Sequence, residues 1–219
     1  MPILIVAATA PEVAALLRAM TPRAAATSDL KRCSLNNSEV DVLVTGVGMV
    51  ATAAWTSRAL AHGAYDVALN VGVCGSFTPN LPPGTVAHVV ADRIAELGAE
   101  DHDHFLILEE LALPGEHLFV NDAPPESAVL RALPTANGIT VNTVHGRAQS
   151  IADVVRRWHP DVESMEGAAF MHACRIGGVR YAQIRAVSNV VEPRNRAAWK
   201  LDAAVAAVNR TALAIVAEL

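Results

Sequence analysis

The chain has 219 residues, of which 52% are hydrophobic and 18% charged, and we expect one globular α/β domain over residues 1–219. A formal net charge of -5 with scattered basic residues argues against a nucleic acid partner. The amino-terminal segment has neither a cationic leader nor a long apolar run, so we expect no signal peptide, no membrane partner and a cytoplasmic location. The three cysteines, Cys33, Cys74 and Cys174, suit buried thiols.

The first strand and helix are predicted at the amino terminus. Ile3 to Ala7 is a continuous apolar run, which is typical of a strand buried on both faces of a parallel sheet. A helix should follow, because Val13, Leu16, Leu17 and Met20 recur at helical spacing. Its start, Thr9 to Glu12, fits the S/T-x-x-E capping box, and this role alone would explain Glu12.

A glycine-containing motif follows the next strand, which is predicted over Glu39 to Thr45. Gly46 to Ala51 reads G-x-G-x-x-A and opens a helix that should run to about Gly63. In this position the motif can indicate dinucleotide binding, but that fingerprint requires an acidic residue at the end of the following strand. The following strand, Val67 to Val71, ends in Asn70-Val71-Gly72, so a nicotinamide cofactor is only weakly indicated. A Rossmann-type oxidoreductase remains an alternative.

A second glycine-bearing segment comes directly after that strand. We expect Val71 to Ser76 to form a turn in which Gly72 and Gly75 let backbone N–H groups approach a ligand without an intervening Cβ.

Periodicity weakens from Arg93 to Pro134, after a strand predicted over Thr85 to Ala91, and a lid or subunit contact is expected there. Asp101 to His104 contains residue types that bind metals. Four adjacent residues nevertheless lack the separated ligands of a structural site, so we interpret the segment as a solvated loop and expect no metal.

The remaining elements complete an alternating pattern. Strands are predicted over Gly138 to Thr143 and Val179 to Val187, with a helix over Ile151 to Trp158 between them and a last helix from about Ala197 to Leu219. The last helix carries an apolar stripe of Leu201, Val205, Val208, Ala212, Ile215 and Leu219. This alternation predicts a three-layer α/β/α sandwich with a mixed, mainly parallel central sheet.

Two polar stretches follow apolar runs late in the chain. Glu163 to Phe170 contains two carboxylates and a methionine before the small residues of a helix start, and Arg185 to Arg194 follows the next strand. The carboxyl edge of a parallel sheet is where open α/β folds bind ligands, so we expect these side chains to form a site. A structural explanation also exists for Glu166, since a carboxylate is favoured at a helix N-terminus.

These motifs resemble the nucleoside phosphorylase/nucleosidase family. The similarity rests on Met165-Glu166 with the small residues after it, and on Ser188 to Asn195 with Trp199 beyond. It implies a nucleoside phosphorylase-like fold and a purine nucleoside substrate. By this resemblance Glu166 binds ribose hydroxyls, Met165 packs under the sugar, Gly72 and Gly75 line the base and ribose, and Glu12 activates the attacking water.

The resemblance also distinguishes reaction types within the family. Phosphorylases of this fold hold phosphate with arginines in the first loop and near Val71 to Gly75, where this chain has no cation, so water is the expected acceptor. Relatives that release adenine have Asp where Asn189 stands. An amide there can donate a hydrogen bond to the O6/N7 edge of a 6-oxopurine, which indicates hypoxanthine as the leaving group. The resemblance further implies a role in menaquinone biosynthesis.

Several points stay open from the sequence. The runner-up is an adenine-releasing nucleosidase, and a non-catalytic nucleoside-binding regulator is a further alternative. Asn189 could also be a strand-end Asn held in a turn by its own side chain. Arg93, Arg147 and Arg194 are all candidates to bind a carboxylate on the 5′ substituent, and Asn142 to Gly146 matches the base-contacting loop of the family loosely. By resemblance we expect a homo-oligomer and no metal or organic cofactor.

Overall fold

The computed structural model describes residues 1–23, 29–36, 38–102 and 104–219. Within them the strands are β1 (Pro2–Ala7), β2 (Thr21–Pro22), β3 (Leu30–Leu35), β4 (Ser38–Val44), β5 (Val67–Ser76), β6 (Val86–Ile94), β7 (Gly98–Asp101), β8 (His104–Ile107), β9 (Leu118–Val120), β10 (Thr135–Thr140), β11 (Val162–Ser164) and β12 (Arg180–Val190). The helices are α1 (Ala10–Ala19), α2 (Met49–His62), α3 (Ala128–Ala132), α4 (Ala148–Trp158), α5 (Gly167–Gly177) and α6 (Leu201–Glu218), with a 3₁₀ turn over Arg196–Ala198. Among these described helices, none combines the length and apolarity that a membrane crossing requires.

The main sheet is mixed, and its strands follow the order β11-β10-β6-β12-β5-β1-β4-β3-β2, with β9 paired to β6. Strand β5 lies between β1 and β12 and is parallel to both. Because β11 also pairs with β5, the sheet closes on itself through β11, β10, β6, β12 and β5. The carboxyl ends of β1, β5 and β12 therefore lie at one edge, next to β11.

Helices cover the sheet on two faces, which confirms the predicted α/β class. Helices α1, α3 and α6 bury one apolar cluster, which includes Val13, Leu16, Leu130, Val208 and Ile215. Helices α2 and α5 cover the other cluster, which includes Ala168, Phe170, Met171 and the partly buried Trp55. The three cysteines are buried and free, as expected.

The predicted turn over Val71 to Ser76 is wrong, because these residues are the second half of β5. Their pairing with β12 continues from Val71 opposite Ile184 to Ser76 opposite Val190. Two glycines suggested a turn, but in the structure they leave space for neighbouring side chains inside a strand.

Strand ends elsewhere also differ from prediction. Strand β12 continues past Val187 to Val190 through an irregularity that precedes Asn189, while β10 ends at Thr140 and not at Thr143. Helix α6 begins at Leu201, whose side chain is 44% exposed and does not belong to the buried stripe.

The Gly46 and Gly48 loop has a backbone reason for its glycines. Their φ angles are 89° and 97°, a region that residues with a Cβ rarely adopt. A Cβ on Gly48 would meet no atom within 4 Å, so this glycine is explained by its backbone conformation and not by close packing.

The weakly periodic segment contains a two-stranded hairpin formed by β7 and β8. Asp101 and His102 at its tip are exposed, and Asp103 lies outside the described residues. Within the part of the chain that is described, no group of three or more metal-binding side chains is close enough to hold an ion.

Candidate active site

Glu12 lies at the carboxyl end of β1, in the first turn of α1, and is only 7% exposed. Its Oε2 accepts hydrogen bonds from the backbone N–H of Thr9, at 2.9 Å, and from the Thr9 hydroxyl, at 2.8 Å. Its Oε1 accepts one from the backbone N–H of Val73 at 3.2 Å. Two carboxylate oxygens offer about four acceptor positions, so Oε1 keeps one for a further donor. The capping role and a free acceptor position therefore coexist.

A buried asparagine on α6 fixes the helix that carries Glu12. The Asn209 side chain donates to the Glu12 carbonyl at 2.7 Å and accepts from the Leu16 backbone N–H at 2.8 Å. These two backbone groups would otherwise pair along α1. This contact joins residues almost 200 positions apart and holds the first turn of α1 against α6.

Arg185 is the central cation of the site and is only 1% exposed. It projects from β12, and its guanidinium donates to Asn70 Oδ1 on the neighbouring strand β5. The amide nitrogen of Asn70 in turn donates to the Val6 carbonyl on β1 at 3.0 Å. Arg185 is thereby held at a defined position between the strands.

Glu166 is the second buried carboxylate and precedes α5 as its N-cap. Its Oε1 accepts a hydrogen bond of 3.1 Å from the backbone N–H of Gly48, and its Oε2 lies 3.5 Å from Arg185 Nη1. The glycine loop that resembled a phosphate-binding motif thus donates to a carboxylate of the protein. Two acceptor positions on Glu166 remain for ligand hydroxyls.

Gly72 lacks a Cβ, which leaves space for the side chains of Arg185 and Glu12. A Cβ built on Gly72 would overlap Arg185 Nη1 and would lie 2.9 Å from Glu12 Oε1. Glu12 and Arg185 therefore approach each other above Gly72. We call Glu12, Arg185, Glu166 and Asn70 the carboxylate cluster.

The chemistry of the carboxylate cluster follows from its charge. With both carboxylates ionised, it carries two negative charges and one positive charge in a largely water-excluded space. Such an arrangement stabilises positive charge that develops on a bound group, and its free carboxylate position can orient a water molecule and accept its proton.

A second group of side chains lies along the same sheet edge. Gly75 pairs with Glu163 of β11 on one side and with Asn189 of β12 on the other. Glu163 is 4% exposed, and its Oε2 lies 2.6 Å from His145 Nδ1. We call Glu163, His145 and Asn189 the base-side row.

The Asn189 amide is oriented by its neighbours. Its Oδ1 lies 2.8 Å from the Ser188 hydroxyl, and its Nδ2 donates to the Val190 carbonyl at 2.9 Å. One N–H of the amide remains available. Met165 lies between Glu163 and Glu166 in the sequence and is half-buried.

The candidate arginines for a 5′ carboxylate are not equivalent. Arg93 already lies 2.8 Å from His117 Nε2 and stacks on Trp158 at 4.2 Å. Arg147 is exposed at the start of α4, and Arg194 stacks on Trp199 at 5.6 Å. The Arg194 backbone N–H donates to the Gly146 carbonyl, so Arg147 and Arg194 lie on adjoining loops beside His145.

Two cavities among the described residues lie away from these side chains. A cavity of about 570 Å³ at the amino edge of the sheet is lined by residues that include Pro2, Trp55 and Tyr65. A cavity of about 470 Å³ beside β9 is lined by residues that include Leu118 and Tyr181. Neither includes a member of the carboxylate cluster or the base-side row, so the site is identified by its buried charges.

Sequence reasoning proposed individual roles for Glu12, Glu166 and Asn189. It placed Arg185, Glu163 and His145 in stretches expected near the site but gave no individual role to them or to Asn70. A charged residue inside an apolar strand was the signal that could have found Arg185. The pairing of Glu163 with His145 produces no comparable sequence pattern, because the two residues are 18 positions apart.

The chain is similar to known proteins in both sequence and fold. The sequence model of the phosphorylase superfamily matches residues 2–219. A futalosine hydrolase of Streptomyces coelicolor is 38% identical over 183 residues, which are 77% of this chain and 74% of that protein. A futalosine hydrolase of Thermus thermophilus is 31% identical over 182 residues, 80% of each chain. The structure of the futalosine hydrolase of Helicobacter pylori has a TM-score of 0.87 at 16% identity, covering 100% of this chain and 98% of that one.

Proposed function

This chain belongs to the phosphorylase superfamily, and we propose that it hydrolyses the N-glycosidic bond of futalosine, releasing hypoxanthine and dehypoxanthine futalosine in menaquinone biosynthesis. It is an N-glycosyl hydrolase, as are the futalosine hydrolases of Streptomyces coelicolor and Thermus thermophilus. The identity of the nucleoside and of the released base is the proposed part.

The carboxylate cluster is the observation that carries this proposal. Cleavage of the bond to N9 leaves positive charge on the ribosyl ring, and Glu12 and Glu166 place negative charge where such a ring would bind. Glu12 takes the proton of the attacking water through the free position on Oε1. Glu166 accepts hydrogen bonds from ribose hydroxyls, while Gly48 and Arg185 hold it in place.

The acceptor is water, because two carboxylates lie around the cation of the cluster. Arg185 is bound by Asn70 and Glu166, and the nearby carboxylates would repel a phosphate dianion. At the other end of the substrate, the available N–H of Asn189 donates to the purine as negative charge develops on it.

The direct test is to identify the released base. We expect the purified chain to release hypoxanthine from futalosine without added phosphate, as detected by liquid chromatography. The Glu166→Gln variant should lose most of this activity, whereas Glu100→Gln, which changes an exposed carboxylate on β7, should keep it.

The alternative substrates belong in the same assay. Release of adenine from methylthioadenosine, S-adenosylhomocysteine or aminodeoxyfutalosine, with no hypoxanthine from futalosine, would replace the proposed substrate by the adenine-releasing alternative. Tight binding of nucleosides without release of any base would contradict hydrolysis altogether.

A further inference from the structure

A row of three paired residues crosses the sheet beside the carboxylate cluster. Glu163, Gly75 and Asn189 are direct partners on β11, β5 and β12. A Cβ on Gly75 would lie 3.5 Å from Glu163 Cγ and 3.4 Å from Asn189 Nδ2. Both side chains therefore stand over the same glycine, on the same face of the sheet.

The cleavage described above uses Asn189 but has no role for Glu163, although burying a carboxylate is costly unless it is paired. The partner of Glu163 is His145, which contacts it through both its backbone N–H and its ring. The backbone N–H donates to Oε1 at 3.1 Å and to Oε2 at 3.4 Å, and Nδ1 lies 2.6 Å from Oε2. Since the His145 side chain is only 14% exposed, this contact is sheltered from water.

The contact fixes which ring nitrogen of His145 carries a proton. An ionised carboxylate only accepts hydrogen bonds, so Nδ1 must carry the hydrogen. In the neutral imidazole, Nε2 is then a hydrogen-bond acceptor. Among the described residues, Nε2 has no hydrogen-bond partner of its own.

The base-side row thus presents one hydrogen-bond donor, the free N–H of Asn189, and one acceptor, Nε2 of His145. A 6-oxopurine has a matching edge, because O6 accepts a hydrogen bond and the adjacent N1–H donates one. A 6-aminopurine has the reverse pattern, with a donating amino group and an accepting N1.

We infer that Nε2 of His145 accepts a hydrogen bond from N1–H of the purine. Glu163 holds His145 in the Nδ1–H tautomer, and for this reason the site selects 6-oxopurines over 6-aminopurines. This inference rests on the proposed function for the location of the base. His145 contacts the base, and Glu163 is a positioning residue that acts through it.

The Glu163→Gln variant tests the tautomer directly. The backbone N–H of His145 lies closer to Oε1, at 3.1 Å, than to Oε2, at 3.4 Å, so a glutamine that keeps the shorter contact through its oxygen turns its NH₂ group to Nδ1. That NH₂ group is a donor, which moves the hydrogen of the ring to Nε2. Nε2 then becomes a donor that suits N1 of adenine.

The measurement is calorimetric binding of hypoxanthine and of adenine to the wild type, Glu163→Gln and the control Glu100→Gln. We expect the wild type and the control to prefer hypoxanthine, and the hypoxanthine-to-adenine affinity ratio to fall by about tenfold or more in Glu163→Gln. An unchanged ratio in a folded Glu163→Gln protein, or a wild type that prefers adenine, overturns the inference.

A measurement on the wild type keeps the test independent of whether the variant folds. The ¹⁵N chemical shifts of the His145 ring should show a protonated Nδ1 and a bare Nε2, and a neutral ring protonated on Nε2 contradicts the inference. Failure of the proposed function would appear separately, as absence of hypoxanthine release from futalosine by a wild type that still binds free hypoxanthine selectively.

Discussion

Glu12 has contacts that suit both a structural role and the proposed chemical role. Thr9 and Val73 together place three donors on its two oxygens. In the sequence, capping and catalysis were competing explanations of Glu12. The contacts assign the two roles to different oxygens of its carboxylate. Oε2 completes the helix start, and Oε1 keeps the position that faces Arg185 and Gly72.

The Glu12→Gln variant should therefore lose rate and some stability together. We expect kcat to fall by on the order of a hundredfold or more, because an amide cannot accept the proton of water. The amide NH₂ would also oppose either the Thr9 or the Val73 backbone N–H, at a cost of about 1–3 kcal/mol in the free energy of unfolding.

Thr9→Val is the matched control, because it removes a hydroxyl contact of Glu12 and keeps the carboxylate. Its steady-state kinetics and urea unfolding should show a small loss of stability with kcat almost unchanged. Near wild-type turnover by a folded Glu12→Gln protein would contradict the role of Glu12 as general base.

Residues with roles readable from local motifs were predictable, and residues with roles created by distant contacts were not. Glu166 and Asn189 stand in recognisable stretches that follow strands. Arg185 acquires its role from Asn70, 115 positions away, and Glu163 from a histidine in a loop 18 positions earlier. Composition and periodicity contain no information about such pairs.

At the scale of elements, the starts of β5 and β12 were predicted better than their ends. Strands β5 and β12 both begin where their apolar runs begin, within a residue, but continue beyond them. Their last residues carry the glycines and polar side chains of the site, which look like turn residues in a sequence. The site is thus built on strands where loops were expected.

Gly72→Ala tests this placement within β5. A methyl group would overlap Arg185 Nη1 and crowd Glu12 Oε1, so either the arginine or the carboxylate must move. We expect kcat/KM to fall at least about tenfold, since small displacements of catalytic groups are costly.

Gly146→Ala is the matched control for this change, because a Cβ there would have its nearest contact at 3.5 Å, on Arg194. It should keep both its melting temperature and kcat/KM close to those of the wild type. Wild-type kcat/KM in Gly72→Ala would mean that Arg185 and Glu12 need no such close approach.

At the scale of the whole molecule, one buried acid should make stability depend on pH. Asp92 on β6 is 1% exposed, and burial raises its pKa to about 6 from an ordinary value of 3.8. It accepts hydrogen bonds from Thr140 and Gln183. Because the folded pKa is the higher one, this contribution to stability is complete below the ordinary pKa and is lost as pH rises through about 6.

Between pH of about 4 and about 6, this group should reduce the free energy of unfolding by about 3 kcal/mol at most. Asp92→Asn removes the titration. Its NH₂ group can also donate to Gln183 Oε1, which has no partner among the described residues, once the Gln183 amide turns.

Urea unfolding of the wild type and of Asp92→Asn over this pH range is the measurement. The difference in unfolding free energy should change in favour of the variant as pH rises. Two curves that stay parallel would show that Asp92 does not titrate in this interval.

Because β5 runs without interruption from Val67 to Ser76, it limits where the chain can gain or lose residues during evolution. Inserting or deleting one residue in β5 would turn every following side chain to the opposite face and separate Gly72 and Gly75 from the groups above them. The loops before α4 and after β12, which hold Arg147 and Arg194, can change length without altering any strand register. New substrate ranges should therefore come from changes in these two loops, while β5 keeps its length.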